Sequence, residues 1–293
     1  MEKDKSKVRS SVSPQEPNTH QPRRIIQPQT GWVCLNLPEL VEYRELIWLL
    51  AWRDVSSRYK QTAVGIAWAV IQPFVLMVVF TVFFGNMAKI PSEGVPYPIF
   101  NYAGMLPWQY FFSAMVNSSN SLLANSPLLT KVYFPRLVIP CAATLPPLID
   151  FGISSIILVG MMIYFGIAPG LGLLWIPALV LLAFTTALGA GLWLGALGML
   201  YRDVHHLVPF IAQVLMFASP VVYPSTLVPE KWRALYGLNP AAGIIEGFRW
   251  SLLSIHSPQS TAIICSSVAV SLILLLSGII YFRQVEKDFA DLV

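Results

Sequence analysis

ELVEYRELIWLLAWRDVSSRYKQTAVGIAWAVIQP, residues Glu39–Pro73, changes character halfway along, and that change decides the fold. In its first half Leu40, Tyr43, Ile47, Leu50 and Ala51 recur at three- and four-residue steps, which on a helix makes one apolar stripe. Glu39, Glu42 and Glu45 fall toward the other side, although Val41, Leu49 and Trp52 blur it. Charge then gathers in Arg53, Asp54, Arg58 and Lys60 and stops, for no charged residue occurs between Ala63 and Met87. The pattern predicts an interfacial helix that passes through a charged elbow into a membrane span. The elbow has two readings: a docking surface for a cytoplasmic partner, or a basic flank that only sets topology.

The composition agrees with a membrane home. Of 293 residues, 55% are hydrophobic and 12% charged, against about 25% charged in a soluble domain. The net charge of +4 does not point to nucleic acid, because ten of the nineteen Lys and Arg precede Ala63, where anionic headgroups or an acidic partner can meet them. Cys34, Cys141 and Cys265 are far apart, with neither metal spacing nor a disulfide framework. Residues 1–30 are rich in Lys, Ser, Gln and Pro and read as a disordered cytoplasmic tail, with residues 31–62 as interface helix and elbow. The first useful apolar run comes after residue 60, so no signal peptide is expected.

Residues 63–293 read as six spans: Ala63–Met87, Phe100–Leu123, Leu137–Phe165, Leu173–Leu200, Leu207–Tyr223 and Ala262–Phe282. Pro73 is expected to bend the first. The fourth carries Gly191-x-x-x-Gly195 with Ala187 and Gly198 nearby, a pattern suited to close helix packing. Between Tyr223 and Thr261 the chain is too apolar for a water-exposed loop and too broken by Pro and Gly to cross. Re-entrant or interfacial half-helices meet both constraints. The fold class expected is therefore all-α integral membrane, with six spans, an N-terminal amphipathic interface helix and outer re-entrant half-helices. Both termini then share a side, with fifteen Lys and Arg there and four (Lys89, Lys231, Arg233, Arg249) opposite, which places the termini in the cytoplasm.

Catalytic signals are absent from the sequence. It has no HExxH, GxSxG, paired-carboxylate spacing or P-loop, so no catalytic residue, metal site or nucleotide cofactor is expected on the chain. His205 and His206 follow Arg202 and Asp203 in the turn YRDVHH and read as ordinary interfacial residues. Asp150 is the one acid well inside a span, too little for an ion-coupled carrier. A transporter of this kind needs an energy source on another subunit.

RDVSSRYKQTAVGIAW (residues 53–68) with Pro73, SPLLTKVYFPR (126–136), YRDV (201–204), SPVVYP (219–224), LNPAAGIIEGFRW (238–250) and EKDFAD (286–291) resemble the permease subunit of ABC-2-type polysaccharide exporters, over roughly residues 39–293. The resemblance implies a homodimeric permease of the bacterial cytoplasmic (inner) membrane that exports lipid-linked O-antigen, capsule or teichoic-acid polymers. It also implies two copies of a separate P-loop ATPase, which hold the ATP and Mg. By position in the motifs, Arg53, Asp54, Arg58, Tyr59 and Lys60 match the cytoplasmic-interface run. Lys131, Tyr133, Phe134, Pro135 and Arg136 match the first cytoplasmic loop, which in the family contacts the ATPase, and Arg202 and Asp203 sit in the next one. Asn239, Pro240, Gly243, Glu246, Gly247 and Arg249 match the outer re-entrant motif.

For a sugar path the second span offers Gln109, Ser113, Asn117 and Asn120 within an arc of about 80°, with Tyr102, Trp108 and Tyr110 beside them. A conduit wall and an interhelical seam both account for the polar stripe, and an aromatic belt accounts equally for Trp108 and Tyr110. The alternatives to a polysaccharide exporter are an ABC-2 exporter of a small lipid or drug, and a membrane enzyme or assembly factor for a lipid-linked glycan.

Overall fold

The computed structural model describes residues 37–60, 67–129, 131, 134–201, 203–255 and 260–286. All belong to one unit, Leu35–Val293; the other unit, Met1–Cys34, and with it the tail expected over residues 1–30, lies outside the described residues. The same holds for residues 61–66 and for Tyr133 and Arg202.

Every described element is helical. The interface segment is a short helix α1 (Leu37–Glu42) followed by α2 (Arg44–Lys60). Leu50 and Ala51 are buried, and Leu40, Tyr43 and Ile47 pack against the same cluster, so the apolar stripe faces the protein. Val41, Leu49 and Trp52 are exposed together with Trp48, whose ring stacks on Trp52. The face that blurred the amphipathic pattern is thus an aromatic and aliphatic surface of its own.

The first span is α3 (Ala67–Phe80), continued by a π-helical stretch, Thr81–Met87. Pro73 sits inside α3 and has no N–H for the Ala69 carbonyl one turn back. The Ser154 hydroxyl donates to that carbonyl instead, at 2.9 Å. The second span, α4 (Tyr97–Ala124), is 28 residues long and holds Pro107 in its interior. After the one-turn α5 (Ser126–Leu129), the third span is divided into α6 (Val138–Ala143) and α7 (Pro146–Phe165). Thr144 and Leu145 form the break, and the Pro146–Pro147 pair opens α7, since neither proline needs an intrahelical donor there. Gly166 closes α7 in the left-handed region (φ 67°), where a residue without Cβ fits.

The fourth span is α8 (Ile176–Leu200), entered through a 3₁₀ turn at Leu171–Trp175. Its glycines are contact points. A Cβ on Gly191 would meet the Ser118 Cβ at 2.5 Å, and one on Gly189 would meet the Leu275 backbone nitrogen at 2.6 Å. The packing expected of Gly191 and Gly195 is therefore present, against α4, and α8 packs as closely on the last span, α12 (Ser260–Glu286).

The helix where a fifth span is expected is shorter than the sequence suggests. The helix α9 (Val204–Ala218) has 15 residues, about 22 Å at 1.5 Å per residue, and ends before Ser219. Beyond it come α10 (Glu230–Gly237) and α11 (Pro240–Leu253). Twelve of the fourteen residues of α11 are buried against α12, α4 and α8. Among the described residues, four helical stretches are long and apolar enough to cross a membrane: Ala67–Met87, Val138–Phe165, Leu171–Leu200 and Thr261–Glu286. The all-helical, multi-span class expected from the sequence is thus present, with four such helices among the described residues rather than the six expected. α4 is long enough but polar, and α9 is apolar but short.

Candidate functional site: a polar cleft and an arginine clamp

The elbow is tied down by its own charges. Arg53 pairs with Asp54 at 2.8 Å and donates from Nη2 to Asn125 Oδ1 at 2.8 Å, at the end of α4. One turn later Arg58 Nη1 meets Asp150 Oδ2 at 2.5 Å, and the Tyr59 hydroxyl donates to Asp150 Oδ1. Partial burial, and then the bond to Asp150, push the Tyr59 phenol above its ordinary value, so it stays a donor. Asp150 lies in the first turns of α7, and both of its oxygens are held by α2. An acid there would be costly alone; with a guanidinium and a phenol on it, it becomes a fixed acceptor. Lys60 is exposed.

Behind this cluster a cleft of about 620 Å³ opens between α3, α4 and α7. Arg58, Tyr59 and Asp150 line one end, and Gln72, Gln109 and Ser113 supply its other polar side chains, with Ser154 beside the freed Ala69 carbonyl. Trp68, Tyr110, Phe112 and Phe151 supply rings. Among the described residues, the side chains of Gln72, Gln109 and Ser113 have no hydrogen-bond partner, and the Tyr110 hydroxyl is buried without one.

The polar stripe of α4 therefore divides. Gln109 and Ser113 face the cleft, whereas Asn120 is bonded to His205 Nδ1 of α9 at 2.7 Å, an interhelical seam. Gly198 leaves room for that ring, since a Cβ there would lie 2.8 Å from it. Asn117, between the two, is half-buried. Two of the aromatic residues expected along a path, Tyr102 and Trp108, are buried. Tyr102 is fully buried and donates to the Ser154 carbonyl at 3.0 Å, and Trp108 is buried against Phe111.

The loop between α5 and α6 is also mixed. Lys131 is exposed, but Phe134 is buried in the cluster under α2. Pro135 is half-buried, and Arg136 Nη1 donates to the Glu286 carbonyl at the end of α12 at 2.7 Å. Asp203 is exposed just before α9.

At the far end of the bundle the two Pro-containing motifs form one unit. Asn239 caps α11, its Oδ1 accepting from Ala241 N at 3.1 Å, and Pro240 takes the first helical position. The Asn239 amide also donates to Ser219 Oγ at 2.9 Å. From the same helix Arg249, 1% exposed, donates to the carbonyls of Val221 (2.6 Å), Tyr223 (3.3 Å) and Phe100 (3.3 Å). Its guanidinium lies 3.7 Å from the centre of the Phe100 ring, and Glu246 stands 3.9 Å away. Gly243 and Gly247 let α11 approach its neighbours, for a Cβ would meet the Ile263 carbonyl at 2.8 Å or Leu179 at 2.5 Å.

From the sequence Glu246 and Arg249 are legible as members of the outer motif, but the contacts of Arg249 with Gly104, Phe100, Val221 and Tyr223 are not. A Cβ on Gly104 would lie 2.6 Å from Arg249 Nη2, so that glycine makes the clamp possible. A cation inside an apolar stretch was the available signal; its backbone partners, far off in sequence, were not. Among the described residues no three His, Cys, Asp or Glu side chains gather to hold a metal.

The model of the family described as ABC-2 type transporter matches residues 45–253. The O-antigen export system permease protein RfbA of Myxococcus xanthus is 28% identical over 256 residues, 86% of this chain and 97% of that one. RfbA of Klebsiella pneumoniae is 25% identical over 250 residues, 85% of this chain and 95% of its own. The polysialic acid transport protein KpsM of Escherichia coli is 20% identical over 239 residues, 80% and 91% of the two chains.

Proposed function

We propose a function from one premise: the chain belongs to the ABC-2 type transporter family. It is the membrane subunit of an ATP-driven exporter that moves a lipid-linked polysaccharide, of the O-antigen, capsule or teichoic-acid kind, across the bacterial cytoplasmic membrane. The observation that carries this is similarity along nearly the whole length of permeases named for O-antigen and polysialic acid. The chain is not itself the enzyme; ATP and Mg belong to two copies of a P-loop ATPase bound to a homodimer of this chain.

The geometry supports the arrangement. The four apolar helices cross, α4 crosses with its polar side toward protein and cleft, and α9 with residues 219–223 makes the sixth crossing. α11, about 21 Å long against a hydrocarbon core of about 30 Å, is a half-helix held inside the outer leaflet. The positive-inside rule puts the elbow and Lys131 in the cytoplasm, where exposed Arg53, Lys60 and Lys131 meet the ATPase.

Deletion in the parent bacterium tests the function. Lipid-linked glycan should accumulate on the inner leaflet, and the tagged chain should retain a P-loop ATPase on purification. Normal surface glycan with a small lipid or drug retained in the cell would overturn the polysaccharide reading.

A further inference from the structure

The cleft between α3, α4 and α7 carries unused hydrogen-bonding capacity, part of it buried. An amide, hydroxyl or phenol without a partner loses free energy in an apolar medium. Here the Tyr110 hydroxyl is buried without a partner, half-buried Gln109 and Ser113 have none among the described residues, and Gln72 adds an exposed amide, on two walls of one cavity, α3 and α4. Asp150 is different. Arg58 and Tyr59 each occupy one of its oxygens, which leaves further lone pairs on a carboxylate of fixed orientation. Between these polar groups stand Trp68, Phe112 and Phe151.

The combination selects a ligand chemistry. A sugar ring presents hydroxyls that both donate and accept around its edge, and C–H surfaces on its faces. Glutamine and serine side chains match the first, also donating and accepting, and aromatic faces match the second. A phosphate is a poorer match. Among the described residues of the lining Arg58 is the one cation and Asp150 the one anion, so their charges balance and the cation is already paired. The volume, about 620 Å³, lies inside the range of small-ligand sites.

We propose that this cleft is a carbohydrate subsite at the elbow end of the permease, taking a neutral, hydroxyl-rich sugar of the polymer. Asp150, held by Arg58 and Tyr59, is its anchoring acceptor, and Gln109 and Ser113 are its hydrogen-bonding wall. The subsite rests on the polysaccharide reading and adds a place and a ring chemistry to it.

The experiment uses the full chain in lipid nanodiscs with Cys34, Cys141 and Cys265 replaced by Ser and Ser113→Cys as the reporter. A small thiol reagent modifies residue 113 with and without mannotetraose, a neutral tetrasaccharide, or inorganic pyrophosphate. Mannotetraose should slow modification at least five-fold and pyrophosphate should leave it unchanged. Gln109→Leu should raise the mannotetraose concentration for half-protection about ten-fold, the scale of one or two lost hydrogen bonds. Protection by pyrophosphate alone would make the cleft an anion site. A thiol that is never modified, or is modified at one rate throughout, would make it a packing seam. Either result overturns the proposal. If the reporter chain misfolds, saturation transfer from the protein to mannotetraose is measured on the unaltered chain, and the signal should fall with Trp68→Leu; no transfer overturns the proposal equally. These are binding readouts without transport. Glycan accumulation on deletion with no protection defeats the subsite alone, whereas protection with normal surface glycan on deletion defeats the exporter.

Discussion

Arg249→Met should cost this protein more than any other single change in α11. Methionine fills much of the arginine's volume, so the loss is polar. The Val221 and Tyr223 carbonyls lose donors at 2.6 and 3.3 Å, each worth about 1–3 kcal/mol when left buried and unpaired. The Phe100 carbonyl counts less, because it lies in a helix and is free to accept from its own ladder. Glu246, 4% exposed, is left without the cation 3.9 Å away; breaking a buried pair costs about 3–5 kcal/mol. These effects overlap, and a combined loss of about 4–8 kcal/mol is expected, comparable with the whole stability of many domains. Glu246→Gln should cost about 1–2 kcal/mol, since Arg249 keeps its three carbonyls. Arg249→Lys should fall between, its ammonium being too compact to reach three acceptors at once. Thermal unfolding in detergent and protease cleavage within residues 219–239 report both the global and the local loss. If Arg249→Met unfolds within 2–3 °C of the parent (a shift worth only about 1 kcal/mol), or Glu246→Gln is as damaging, the clamp is not what holds these motifs together.

Gly191→Ala forces a Cβ toward Ser118 at 2.5 Å and should cost about 1–3 kcal/mol, read as a lowered unfolding midpoint; an unchanged midpoint would mean that α4 and α8 can separate freely. Ser113→Trp should fill the cleft and stop export with expression and ATPase retention intact, while Asn120→Trp should break the contact with His205 and lower expression. The same defect in both would mean that the stripe is not divided. Arg53→Glu with Lys131→Glu should release the ATPase subunit from a chain that still inserts, whereas Arg136→Glu, which loses its bond to the Glu286 carbonyl, should chiefly lower stability. Full ATPase retention in the first variant would move the docking surface elsewhere.

Periodicity carried the reading a long way wherever a helix has one protein-facing side. The stripe from Leu40 to Ala51 was legible because Leu40, Tyr43, Ile47 and Leu50 meet one cluster and Ala51 is buried beside them in the chain. It said less about the opposite side, because at a membrane surface Trp48, Leu49 and Trp52 also have an apolar medium to face. The stripe on α4 left a conduit wall and an interhelical seam both open. Shared angle on a helix does not mean shared surroundings, and over three turns Gln109 and Asn120 come to meet a cleft and another helix. Asp150 was visible as an oddity, and the motif containing Arg58 and Tyr59 was visible too. Their meeting was not, since the partners stand 91 and 92 residues apart. Burial of Tyr102, Trp108 and Phe134 was hidden for the same reason: aromatic residues at a membrane boundary are equally at home in a belt, a path or a core.

The hydroxyl of Ser154 on the Ala69 carbonyl has a bearing on biogenesis. Pro73 leaves that carbonyl without its ladder partner, and the substitute donor lies 85 residues further along the chain. When the first span enters the bilayer during synthesis, the third does not yet exist, so the carbonyl must keep a water molecule or stay near the headgroups. α3 can settle to its full depth only when α7 arrives beside it. Ser154→Ala would remove the arrival signal while leaving every apolar contact of the span in place. Pulse-labelled chains of that variant should then remain open to a water-borne reagent at residue 69 (Ala69→Cys) for longer after synthesis than those of the parent.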